Sequence, residues 1–344
     1  QAGHGTHVAG VIAAESGNGR GIAGISRGVL IMPLKALNFM GRGRSSGIAE
    51  AIYYAVANGA RLINLSLGGR EISPVEGRAI DHAWDRNVLV VVAAGNTGED
   101  TATYGPAASA HVLTVGASDA NDERAGFSNW GASIDLVAPG VDVLSLRASR
   151  TDFALIAGLA DYAPGDWFVG PDALLYRATG TSFAAPLVTG VASLVIAGNP
   201  DITAAELLRL LTQSARDIDV PGVDQFTGYG LLDARAALTQ SPEFFLEVAI
   251  AGVTVAQREG RPVLQISGTA DADRFDRAWI EIGAGSDPQS WKEVSKTIRT
   301  AVRDGALDEL EVKHFAGAGQ WTLRLIGKHR SGRQREARFV LDLG

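Results

Sequence analysis

The sequence predicts an α/β chain built on a doubly wound parallel sheet, followed by a small all-β sandwich. Three observations carry this. From residue 1 to about 240, short apolar runs alternate with helical stretches, and the apolar runs end in glycine turns. Beyond residue 240 the apolar residues alternate with polar ones at period two. In a parallel sheet both faces of a strand are covered, so its strands read as continuous apolar runs; a half-solvated strand alternates.

Taken in order, a helix is expected directly after GHGTHVAG (Gly3–Gly10). VLIMPLKAL (Val29–Leu37) reads as a strand buried on both faces. SSGIAEAIYYAVANGA carries apolar residues at helical spacing behind a serine cap. RLINLSLGG, NVLVVVAAGN, HVLTVGAS and IDLVAPG read as further buried strands. GRAIDHAWDRN and TSFAAPLVTGVASLVIAGN read as helices between or after them. The stretch from Leu146 to Ala178 is long for a connection and reads as an insertion near the rim of a site. SPEF (Ser241–Phe244) reads as a linker, dividing the chain into residues 1–240 and 241–344. PVLQISGTA, RAWIEIGAG, QWTLRLIGK and ARFVLDLG supply the strands of the second part.

Composition removes several function classes. The formal net charge of -7 offers no basic field to hold nucleic acid phosphates; the GRGRSSG stretch, with two arginines, reads as a solvated loop. There is no cysteine, so disulfide frameworks and cysteine-ligated zinc drop out. No stretch of about 20 uncharged apolar residues appears, and no membrane span is expected.

In such sheets ligands bind at the carboxyl ends of the strands, so the chemistry is sought there. Three stretches stand out. In GHGTHVAG, His4 and His7 alone are open to a structural reading or a metal pair; no third ligand follows at a recognisable spacing, and no HExxH is present. In ATGTSFAAP, Ser182 opens a long apolar helix, either as an N-cap or as a nucleophile beside unbonded backbone N–H groups. Ala184 stands where G-x-S-x-G needs its second glycine. In VVVAAGN, Asn96 closes an apolar strand, as a turn residue or as an amide donor to a developing oxyanion.

Together, GHGTHVAG, AAGN and GTSFAAP in that order, with LINLSLGG, DLVAPGVDVLS and GYGLLDA, resemble the subtilisin-like (subtilase) serine endopeptidases over roughly residues 1 to 240. The resemblance implies Ser182 as nucleophile, His4 as general base and Asn96 as oxyanion donor with the Ser182 N–H. The cost of losing that asparagine, roughly 10²–10³ in kcat, is known from a subtilisin itself and is carried over by family. It also implies that Ser66, Leu67, Gly68 and Gly69 pair with substrate backbone. Ala93, Ala94 and Gly95, with Pro106 and Ala107, line the main specificity pocket. No acid lies in these stretches, so an apolar side chain before the cut is expected. His7 is the structural histidine. Leu187 and Phe183 replace a histidine and a methionine common in the family; neither change is expected to abolish activity.

The family's third member is an aspartate on a strand before the histidine motif. Only Gln1, Ala2 and Gly3 precede His4, and Glu15 and Asp81 sit outside the matching motif. The expectation is a fragment whose aspartate lies upstream, with little activity of its own. Its localisation is expected outside the cell or at the envelope. Polypeptides are the expected partners, and no cofactor is needed for the chemistry. The resemblance leaves room for structural calcium at the loop after the first helix, with Ser16, Asn18 and nearby carbonyls as oxygen donors. The G-x-G-x-x-G at Gly19–Gly24 follows a helix and not a strand, which argues against dinucleotide binding. The C-terminal part resembles the Ig-like or fibronectin-like β-domains of secreted bacterial proteins. Trp279, Trp291 and Trp321 there are core residues or a face for a surface or polymer ligand. The competing reading is a non-catalytic binding or adhesion protein on the same fold.

Overall fold

A computed structural model describes residues 3–38, 40–148, 168–169, 174–258, 260–315, 317 and 319–342. The chain divides into two compact units, one of residues 1–219 and 224–242, the other of 220–223 and 243–344.

The first unit is an α/β layer structure. Strands β1 (Leu62–Leu65), β2 (Leu89–Ala93), β3 (Val112–Ser118) and β4 (Leu136–Pro139) form a parallel sheet in the order β1-β2-β3-β4. Alternate residues of β2 serve two cores. Leu89, Val91 and Ala93 join one with α4 (Thr181–Gly198) and α5 (Ala204–Ser214). Val90 and Val92 join another with α2 (Ser45–Ala57) and α3 (Pro74–Asp85). Helices on both faces leave no polar face to the strands, which is why LVVVA is apolar throughout. Helix α1 (His4–Ala13) packs on α4 and on β5 (Val143–Leu146), which pairs antiparallel with β7 (Leu175–Ala178); β7 also pairs with β6 (Phe168–Val169). A short α6 (Ala234–Thr239) lies against α4 and α5. Helix α4 is long and apolar enough by composition to cross a membrane, but its side chains are core, packed under β2–β4.

Two local expectations are overturned. Val29–Leu37 is not a buried strand: Leu30 is 93% exposed, and Ile31, Met32 and Leu34 are exposed as well. A run becomes a strand only where a neighbour bonds its backbone, and among the described residues it has no ladder partner. Helix α2 is not capped by a serine; its N-cap is Arg44, without a side-chain cap bond, and Ser45 is already helical. The long Leu146–Ala178 stretch lies mostly outside the described residues.

The second unit holds two antiparallel sheets, β12-β9-β8 (Val302–Glu311, Arg261–Ala272, Leu246–Arg258) and β11-β10-β13-β14 (Lys292–Glu293, Phe275–Ala284, Gln320–His329, Gln334–Asp342), around one core that includes Leu264, Ile266, Ile280, Leu323 and Leu325. The three tryptophans do not share a face. Trp321 packs on this core, 5.7 Å from the Phe315 ring. Trp291 is covered by Arg324 at 4.0 Å and Arg338 at 5.1 Å, and Trp279 donates to Glu281.

Candidate active site at the carboxyl end of the parallel sheet

The ends of β1 and β2 meet the N-terminus of α4. Gly180 is the N-cap of α4, with φ +151°, and Ser182 is its second helical residue. Ser182 is therefore not an N-cap. Its N–H lies in the first turn, where amides have no intrahelical carbonyl, beside the positive end of the helix. Ser182 is half-buried, and its Oγ makes a long 3.5 Å contact with the Ser66 carbonyl. A chain of side chains ties β1 to this turn. Thr189 donates to Asn64 Oδ1, Asn64 Nδ2 donates to Ser66 Oγ, and Ser66 Oγ donates to the Ser182 carbonyl at 2.7 Å.

Asn96 is exposed at the end of β2, and its amide orientation is set by Thr181. Its Oδ1 accepts from the Thr181 N–H at 2.8 Å and from the Thr181 hydroxyl at 2.9 Å. The Thr181 hydroxyl in turn accepts from the Gly95 N–H at 3.1 Å. With the oxygen occupied by two donors, the Nδ2 end is the one left for another partner, close to the Gly180 turn that opens α4. A Cβ on Gly180 would come within 3.3 Å of that Nδ2, so a glycine there keeps the approach open.

His4 opens α1, and its ring lies 5.4 Å from that of Phe183, the residue after Ser182. Burial lowers its pKa from 6.5 to about 4, and His7 adds to the lowering. None of the groups acting on it is a carboxylate. His7 is buried, with Nε2 3.0 Å from the carbonyls of Val143 and Tyr176; the proton therefore sits on Nε2, and the ring is committed to structure. Among the described residues no group of three or more His, Cys, Asp or Glu gathers as a metal site.

The segments expected to meet a substrate lie beside this cluster. Ser66, Leu67 and Gly68 continue β1 at the surface. Gly69 differs: its N–H and C=O are both bonded to Gly105, so its backbone is already paired. Ala93, Ala94, Gly95, Pro106 and Ala107 are buried. The sequence did not single out Tyr104. A Cβ on Gly68 would stand 2.7 Å from its ring, and one on Gly95 2.8 Å. The ring therefore lies between two glycine-bearing segments, and no motif marks it because its place depends on a tertiary approach. Thr181 and Asn129 were missed for the same reason; TGTS and FSN carry no signal until the loops meet.

At the loop after α1, Asn18 Oδ1 is engaged by the Arg20 N–H, and Glu15 brings the one carboxylate. Calcium takes six to eight oxygens, more than the side chains of Glu15, Ser16 and Asn18 supply without backbone carbonyls.

A model of the subtilase family matches residues 1–230. Over 237 residues the chain is 38% identical to a thermophilic serine proteinase of Bacillus sp. (strain AK1), covering 69% of this chain and 52% of that one. It is 36% identical over 260 residues to a cell wall-associated protease of Bacillus subtilis (strain 168), covering 69% and 26%, and 37% identical over 235 residues to subtilisin BL of Lederbergia lenta, covering 68% and 77%. The chain thus spans about half the length of the first of these relatives and about a quarter of the second. Among solved structures, a protease of Pseudoalteromonas arctica matches with TM-score 0.59 and 33% identity, over 68% of this chain and 70% of that one. A cold-adapted subtilisin-like serine proteinase matches with TM-score 0.56 and 30% identity, over 68% and 75%.

Proposed function

The chain belongs to the subtilase family, and we propose that it carries the nucleophile, base and oxyanion donor of a serine endopeptidase acting on polypeptides outside the cytoplasm. The Ser182 hydroxyl attacks the scissile carbonyl carbon while its proton passes to the His4 imidazole. The carbonyl oxygen becomes an oxyanion between Asn96 Nδ2 and the Ser182 N–H. Collapse breaks the C–N bond, the leaving amine takes the proton from His4, and water then hydrolyses the acyl-enzyme. The observation that supports this reading is the amide of Asn96, whose oxygen is held by two bonds from Thr181, the residue before Ser182, so that its donor end is left for another partner.

The substrate backbone runs along Ser66, Leu67 and Gly68, and Ala93, Ala94 and Gly95 line the pocket for the side chain before the cut. The Tyr104 ring between Gly68 and Gly95 restricts the pocket to small apolar side chains. The orienting carboxylate of a full triad is not beside His4 among the described residues. An imidazole with a pKa near 4 is a weak base, since a general base works best near the operating pH. The chain by itself therefore reacts slowly, and a carboxylate supplied to His4 from outside these residues accelerates it. Calcium at the loop after α1 likewise needs oxygens beyond the side chains of Glu15, Ser16 and Asn18, and no step passes through it.

Fluorophosphonate labelling of the 344-residue chain tests this, with Ser182→Ala as control and circular dichroism to verify folding. Slow labelling of the parent, lost in Ser182→Ala and reduced in Asn96→Ala, is expected. Equal labelling of parent and Ser182→Ala, or no labelling of a folded parent, overturns it and favours a binding protein on this fold.

A further inference from the structure

The loop 94–99 carries Asn96, but no sheet ladder holds the loop beyond Ala94. Apart from the Gly95 N–H bond to Thr181, its bonds go mainly to the segment 127–130: the Gly98 N–H donates to the Phe127 carbonyl, Trp130 donates to the Gly98 and Glu99 carbonyls, and Asn129 makes the largest share. Asn129 is fully buried. Its Nδ2 donates to the Ala94 carbonyl at 3.0 Å, and its Oδ1 accepts from the Thr97 N–H at 2.9 Å, the Thr97 hydroxyl at 3.0 Å and the Glu99 N–H at 3.2 Å. Its own N–H donates to the Gly95 carbonyl at 3.0 Å. The residues bonded are 94, 95, 97 and 99, so the backbone of Asn96 is gripped from both sides while its own side chain bonds to Thr181, the neighbour of Ser182.

We propose that Asn129 is the positioning residue of the oxyanion donor. This rests on the reading of Asn96 given above. Thr181 sets which end of the Asn96 amide points outward, and Asn129 sets where the backbone beneath that amide stands. Both halves of the Asn129 amide are used: a carboxylate keeps the acceptor and loses the donor to Ala94, and an aliphatic side chain loses both. The closeness of the fit appears at Gly95, where a Cβ would stand 2.3 Å from Asn129 Nδ2. Asn129 touches no reacting atom. Its effect passes through Asn96, and a displacement of the order of 1 Å at a catalytic group costs about 10²-fold in rate.

The test separates this role from general stability. In fluorophosphonate labelling Ser182 Oγ forms the bond to phosphorus, fluoride leaves, and the phosphonyl oxygen occupies the oxyanion position. The maximal labelling rate and the half-saturating reagent concentration are measured for the parent, Asn129→Leu, Asn129→Asp, Asn96→Ala and the Asn96→Ala/Asn129→Leu double variant. Circular dichroism sets the folded fraction, and rates are taken per folded molecule. The expected result is a fall of about tenfold to a hundredfold in the maximal rate of Asn129→Leu. The half-saturating concentration stays unchanged, Asn129→Asp loses less, and no further loss follows in the Asn96→Ala background. A parental rate in Asn129→Leu, or an equal loss with and without Asn96, overturns the proposal. If Asn129→Leu does not fold, Asn129→Asp carries the same comparison in both backgrounds. If the folded parent does not label, the reading of Ser182 fails separately. Hydrogen exchange then decides: loss of protection at the Thr97 and Glu99 amides in the Asn129 variants, but not in Asn96→Ala, supports the positioning role, and unchanged protection overturns it.

Discussion

Gly95→Ala should damage both stability and chemistry. Gly95 has φ +105°, a region that costs an L-residue roughly 1–2 kcal/mol. The added methyl would stand 2.3 Å from Asn129 Nδ2 and 2.8 Å from the Tyr104 ring, distances that require something to shift. Neither neighbour is a flexible chain end: the Asn129 side chain is buried and bonded to four atoms of the loop, and Tyr104 is a ring held between two backbones. Overpacking of this kind costs about 1–3 kcal/mol. The sum is roughly 2–5 kcal/mol, a large part of the ~5–15 kcal/mol by which a domain is stable. For a unit of this size it lowers Tm by roughly 4–20 °C. Because the displaced atoms hold Asn96, the labelling rate of Ser182 should fall as well. The control is Gly77→Ala in α3, where a Cβ meets nothing within 4 Å and φ is not positive. Removing a helix glycine should stabilise by about 0.5–1 kcal/mol. Differential scanning calorimetry and labelling kinetics read both variants. If Gly95→Ala melts with the parent and labels at its rate, the close approach of Asn129 and Tyr104 to Gly95 is wrong, and with it the account of the loop.

Three further outcomes are expected. The folded state resists protonating His4, whose pKa is depressed from 6.5 to about 4, so stability is lost as pH falls through that window, by on the order of 3 kcal/mol when complete. The labelling rate should hold down to about pH 5, and a midpoint near the ordinary histidine value would show a carboxylate acting on the ring. Burial raises the Asp135 pKa from 3.8 to about 7, with only the Thr114 N–H opposing, so the charged form is held at a cost that grows as pH rises from 3.8 to 7. Asp135→Asn should therefore gain a few kcal/mol over the parent at pH 8 and lose that advantage at pH 4 in urea titrations; equal midpoints at pH 8 would refute the burial argument. Tyr104→Ala should open the space between Gly68 and Gly95, shifting peptide-phosphonate preference from small to large apolar side chains by about tenfold or more; an unchanged preference would place the pocket elsewhere.

The sequence by itself determined the layers and the chemical groups. The apolar run LVVVA demanded covering on both faces, and the structure places α4 and α5 on one and α2 and α3 on the other. GTSFAAP and AAGN singled out Ser182 and Asn96 as candidates through their resemblance to a family's motifs, and the structure sets one at a helix opening and the other just past a strand end. The period-two runs after residue 240 became antiparallel sheets. What the tertiary structure decided is everything that depends on which loop lies against which. Val29–Leu37 has a strand's composition but no neighbour to bond among the described residues. Ser45 has a cap's chemistry, but the helix begins around it. Gly69 is consumed by Gly105, Tyr104 fits only because two glycines face it, and Asn129 acquires meaning only when its amide meets residues 94–99. Pattern along a chain reports burial and periodicity. Hydrogen bonds between residues 32 or 85 positions apart, such as Asn129 to Thr97 or Thr181 to Asn96, exist only once the sheet has brought their loops to one edge.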